Sequence, residues 1–223
     1  MFSLLLRADE ILHQRFNASR ATDVRALFTL AACIVVFGCA YGAVMGTFGG
    51  LAGERLWQVA FSASKVPLLF LATFSIAAPS FLVLNVLFGL RDDVPDVLRA
   101  LLAAQAGVAI VLCSLAPVTA FWYFSSDDYH AAILFNGIIF ATACIAGQHL
   151  LRGYYAPLVA RNRRHRTMCH LWLGLYSFVG IQMGWVLRPF VGAPDAAVQF
   201  FREDSWGNAY VVVWKIVVEV LIR

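Results

Sequence analysis

A chain of 223 residues that is 61% hydrophobic and only 13% charged has more apolar side chains than a soluble domain of this length can place. The net charge of +4 is small and comes mainly from one run, "ARNRRHR" at 160–166, with no nucleic-acid-binding motif beside it. The expected class is an all-α integral membrane protein, a bundle of about six transmembrane helices.

Residues 1–25 are too charged to span. Leu5, Ala8, Leu12 and Phe16 recur at helical spacing with Arg7, Glu10, Gln14 and Arg15 off that stripe, which predicts an amphipathic helix on the cytoplasmic surface or against a partner. The membrane domain follows over 26–223. Its apolar runs lie at about 26–46, 66–88, 97–122, 131–151, 170–187 and 207–222, each near the ~20 residues that cross a hydrocarbon core, although the last is short.

The first run places Gly38, Gly42 and Gly46 on one face, a pattern that brings helix backbones close where lipid offers no hydrophobic drive. Gly180 and Gly184 repeat the spacing in the fifth run, so the expected partner is that helix or a neighbouring subunit. The second run opens with Lys65, expected to snorkel at the outer face, and contains Pro67 and a kink-forming Pro79. "RDDVPD" (91–96) reads as a tight turn with Asp93 capping the third helix and Pro95 in its first turn. Pro117 bends that helix near its outer end.

Arginine sets the orientation. Twelve arginines fall on the amino-terminal side of a six-span arrangement (Arg7, Arg15, Arg20, Arg25, Arg91, Arg99, Arg152, Arg161, Arg163, Arg164, Arg166, Arg223) and three on the other (Arg55, Arg188, Arg202). Both termini are therefore expected in the cytoplasm, with a five-span alternative that moves the carboxy terminus outside. The arginine-rich composition, with only two lysines, points to a bacterial inner membrane. Arg161, Arg163, Arg164 and Arg166 form a topogenic loop able to contact anionic lipid headgroups.

Ionisable groups inside a bilayer demand a reason. Lys215 lies nine residues into the last run with Glu219 one turn on, which suggests an ion pair facing the bundle, an intersubunit partner or an ion pathway. Asn136 and Gln182, at similar depth in the outer half, suggest interhelical hydrogen bonds or, where they converge, a hydrated path. The stretch 184–210, "GWVLRPFVGAPDAAVQFFREDSWGNAY", is expected to form a structured lid over the outer face, carried by Arg188, Pro189, Asp195, Arg202 and Trp206.

Catalytic signatures fail: there is no H-E-x-x-H, G-x-S-x-G or phosphate loop. His149 and His170 suggest a bis-histidine haem only by position, and "HRTMCH" (165–170) lacks a fourth zinc ligand. The expectation is no catalytic, cofactor or metal site. The five cysteines, four of them in apolar runs, do not form a disulfide framework.

The proline-broken run "SKVPLLFLATFSIAAPSFLVLNVLFG" resembles the membrane domain of Yip-type (Ypt-interacting) proteins and their bacterial relatives, over about the first four spans. That resemblance implies a compact helical bundle without known catalytic residues. The functional expectation is a non-enzymatic membrane subunit that scaffolds or anchors a larger assembly, in contact with the bilayer and with other subunits or copies of itself. The alternative is a small channel or transporter with Lys215, Glu219, Asn136 and Gln182 along its path.

Overall fold

The computed structural model describes residues 2–13, 24–193, 196–202 and 207–211. These form six helices: α1 (Phe2–Leu12), α2 (Val24–Gly46), α3 (Arg55–Leu87), α4 (Val94–Ser125), α5 (Tyr129–Arg161) and α6 (Arg164–Val186), with a 3-10 turn at Arg91–Asp93. No strand occurs among the described residues. Four helices, α2 to α5, are long and apolar enough to cross a membrane. The fifth expected span is a helix, but α6 opens on Arg164, His165, Arg166 and His170 and is not among those four. Of the sixth run only Gly207–Val211 is described, so Lys215 and Glu219 lie outside the described residues, as do Asp195 and Trp206.

The exterior of the bundle is apolar. Phe124 is 92% exposed and Phe28, Leu87, Phe121 and Leu134 are exposed, while Gln58, Ser62, Lys65, Thr73, Asn85 and Asn136 are buried. Polar groups inside and large hydrocarbons outside suit lipid as the surrounding solvent, since every polar group must find its partner within the protein. The chain is a membrane-integral helical protein.

Helix α4 is the centre. Its small residues Ala100, Ala103, Ala106 and Ala109 are buried and allow α2 and α5 to pack along it, while α6 packs chiefly on α3. The three glycines of α2 face α3: a Cβ on Gly42 would meet the Ser62 carbonyl oxygen, and one on Gly46 would lie 2.6 Å from the Val59 Cα. The pairing with the fifth span does not form. Gly180 faces Thr73 of α3, and a Cβ on Gly184 would meet open space.

Three further expectations change. Helix α3 begins eleven residues before the apolar run and continues through Pro67 and Pro79, so Lys65 lies ten residues inside a helix and is fully buried instead of snorkelling. On α1 the buried residues are Ala8 and Ile11, whereas Leu5 and Leu12 are exposed, because α1 packs on α4 and gives the Ile11 carbonyl to the Tyr154 hydroxyl at 2.8 Å. Asp93 stands at the N-cap position of α4 but makes no side-chain cap bond. Its carboxylate accepts from His165 Nε2 at 2.9 Å and from Arg161 Nη1 at 3.2 Å, tying the turn before α4 to the turn between α5 and α6.

Candidate functional site

The end of the bundle opposite α1 holds the connections 47–54 and 126–128 and the long segment after α6. Along the first third of α3, Arg55, Gln58, Ser62 and Lys65 recur at intervals of three, four and three, which makes one polar stripe on that part of the helix. The stripe receives the backbone that follows α6. Lys65 Nζ donates to the Pro189 carbonyl at 2.7 Å, Ser62 Oγ to the Phe190 carbonyl at 2.5 Å and Arg55 Nη2 to the Ala193 carbonyl at 3.0 Å. Gln58 Nε2 braces the arrangement, donating to Ser62 Oγ at 3.0 Å and to the Phe190 carbonyl at 3.4 Å.

Close packing makes these bonds possible. Leu187 and Val191 are buried on either side of the cis Arg188–Pro189 bond. A Cβ on Gly192 would come within 2.8 Å of Gln58 Cγ, so the loop backbone reaches the stripe because that residue lacks a side chain. The Lys65 ammonium also lies 4.9 Å from the centroid of Phe200, whose ring meets Phe61 edge-on at 5.3 Å. A carbonyl and a ring face together offset part of the cost of burying the charge. Arg188 stacks on Trp185 at 3.3 Å, and Arg202 reaches across to the Tyr129 hydroxyl of α5 at 3.2 Å. Of the expected lid residues, Arg188, Pro189 and Arg202 are thus brought together over the bundle end.

Beneath the loop lies an apolar cavity of about 360 Å³, bounded by Met45, Leu69, Ile133, Phe140 and Phe190. Asn136 borders it, but its amide is spent. It accepts from the Tyr41 hydroxyl at 2.9 Å and donates to the Tyr123 hydroxyl at 2.6 Å and to the Ala132 carbonyl at 2.8 Å. Gln182 sits elsewhere, donating to the Gly207 carbonyl and accepting from the Ala209 amide, both at 3.0 Å. The two residues expected to share a polar path therefore serve separate structural bonds. Among the described residues no group of three metal-binding side chains forms.

The stripe on α3 was present in the sequence as a spacing of four polar residues. The apolar run begins only at the end of that stripe, so three of the four precede the expected span and carry no hydropathy signal for helix. Comparison with protein families, curated proteins and solved structures finds no match.

Proposed function

We propose that this chain is a non-enzymatic integral membrane subunit whose loop end is a preorganised platform for another membrane component. The observation that carries this reading is the use of the α3 polar stripe. Arg55, Gln58, Ser62 and Lys65 each donate to a loop carbonyl, which fixes the loop over the helix. Holding a loop in one conformation lowers the ordering cost of binding, which is what a docking surface requires. Closure of Asn136 within the two-tyrosine network argues against the channel alternative.

The same reading places the protein in a bacterial inner membrane with six spans, α6 and the last run being the fifth and sixth, and both termini in the cytoplasm. The arginine asymmetry supports that orientation. The resemblance to Yip-type membrane domains, which have no known catalytic residues, is in keeping with it.

Mild-detergent purification of the tagged chain from its own host tests the proposal. A partner should be retained in fixed stoichiometry and lost from Lys65→Met with Ser62→Val, a variant that still inserts. Ion flux through vesicles containing the purified chain alone, with no partner retained, would overturn it.

A further inference from the structure

Helices α5 and α6 are joined by a turn of two residues, yet they touch each other sparsely, because α6 leans onto α3. The separation leaves a cleft between them at the α1 end of the bundle, with a volume of about 820 Å³. Arg152, Arg163, Arg166 and His170 line its mouth. The three arginines are exposed, and none has an acidic partner among the described residues. Their neighbours Arg161 and Arg164 differ. Arg161 is paired with Asp93 and Asp96, and Arg164 donates to the Phe88 carbonyl at 2.9 Å.

The inner wall of the cleft includes Tyr155, which is 1% exposed and whose hydroxyl has no hydrogen-bond partner. A buried hydroxyl left unpaired is destabilising, so a ligand oxygen there relieves a standing penalty. Leu173 borders this cleft and also a second, apolar cavity further along α5 and α6, lined by Leu101, Val108, Cys144, Trp172 and Tyr176. Gln105 borders the second cavity as well. It is 5% exposed, and both its amide nitrogen and its amide oxygen lack partners.

We propose that this paired cleft seats one anionic phospholipid. The phosphate lies among Arg152, Arg163 and Arg166, the Tyr155 hydroxyl donates to a headgroup or glycerol oxygen, and an acyl chain runs along the cleft past Leu173, with a few of its carbons entering the second cavity of about 90 Å³. Helix length places the mouth correctly. Thirty-three residues in α5 span about 50 Å, well beyond a hydrocarbon core of about 30 Å, so the basic end of that helix reaches the headgroup layer. Charge complementarity selects an anionic headgroup, and the adjoining apolar cavity selects a lipid over a free anion.

The last run of the chain does not compete for the cleft at its described beginning. Gly207–Tyr210 is held by Gln182 and by Phe178, whose ring stacks on Tyr210 at 4.7 Å. At about 100° per residue those two positions lie on the side of α6 opposite Cys169 and Leu173.

The inference rests on the membrane-integral fold and needs no protein partner, so its test is independent of the platform reading. The purified chain in detergent is titrated with phosphatidylglycerol, with phosphatidylcholine and with inorganic phosphate while thermal unfolding is followed. Phosphatidylglycerol should raise Tm by about 5 °C and the other two should not. Arg152→Gln with Arg163→Gln and Arg166→Gln should abolish the shift. Leu173→Trp, which blocks the passage but keeps every charge, should abolish it too. Equal stabilisation by phosphatidylcholine, an equal effect of inorganic phosphate, or a full shift retained in Leu173→Trp would each overturn the proposal.

Discussion

Lys65 of α3 and Pro189 of the loop after α6 are joined by an ammonium–carbonyl bond of 2.7 Å across 124 residues of sequence. The donor is fully buried, so its only reason to stay inside the bundle is the set of groups that receive it.

Lys65→Met keeps the length of the side chain and removes the donor. The part-buried Pro189 carbonyl then loses its donor, at a cost of about 1 kcal/mol, and the Phe200 ring loses its cation. Thermal stability should fall, and trypsin should cleave after Arg202 faster than in the unsubstituted protein. Unchanged cleavage would mean that Ser62 and Arg55 hold the loop without Lys65.

Gly42→Ala tests the contact between α2 and α3. The new methyl group meets the Ser62 carbonyl, which is backbone and cannot turn aside, so the helices must separate. The expected destabilisation is about 1–3 kcal/mol, as for other overpacked sites. Gly174→Ala is the control, since a Cβ there meets nothing within 4 Å. Measured in detergent, the first variant should lose stability and the second should not.

How much of this was legible in the sequence depends on the scale. The apolar runs marked α2 to α5 to within a few residues at several ends, because lipid sets both the length and the composition of a span. They could not reveal that α3 extends eleven residues before its run or α5 ten residues after, since helix continues wherever tertiary packing supports it. The glycine face was visible, but its partner was not: spacing marks a close approach without saying which backbone approaches. Asp93 and Gln182 show the same limit. A short polar residue near a helix start reads as a cap, yet Asp93 is drawn to His165 and Arg161, which are about seventy residues away.

Asp93 also carries a pH dependence. The His165 ring nitrogen, and after it the Arg161 guanidinium, hold the Asp93 carboxyl below its ordinary range. An unfolded aspartate titrates near about 3.9. Because the folded group binds its proton less readily, its contribution to stability is complete above that value and is lost as pH falls through the lower, folded value. The stability difference between the unsubstituted protein and Asp93→Asn should therefore shrink as pH falls below about 4, through the folded value of the Asp93 carboxyl. Thermal unfolding of both proteins across that range measures it. A difference that stays constant through the acid range would mean that His165 and Arg161 do not favour the ionised carboxylate.

Asn136 separates a structural network from a conduction path. Asn136→Leu fills a similar volume but leaves the Tyr41 hydroxyl without its acceptor and the Tyr123 hydroxyl without its donor. Tyr41 is fully buried, so its O–H, orphaned as a donor although Thr119 still approaches the oxygen, should cost about 1 kcal/mol or more. Adding Tyr41→Phe removes that orphan and should recover part of the loss, which is the signature of a closed network. A residue lining a hydrated path behaves differently: water replaces the lost partner, Asn136→Leu is nearly neutral for stability, and flux through vesicles changes instead. Loss of stability in the single variant, partial recovery in the double variant and no flux from either protein is the outcome expected of a platform subunit. A stable single variant with altered flux would make the cavity beneath the loop part of a pathway and the loop its gate.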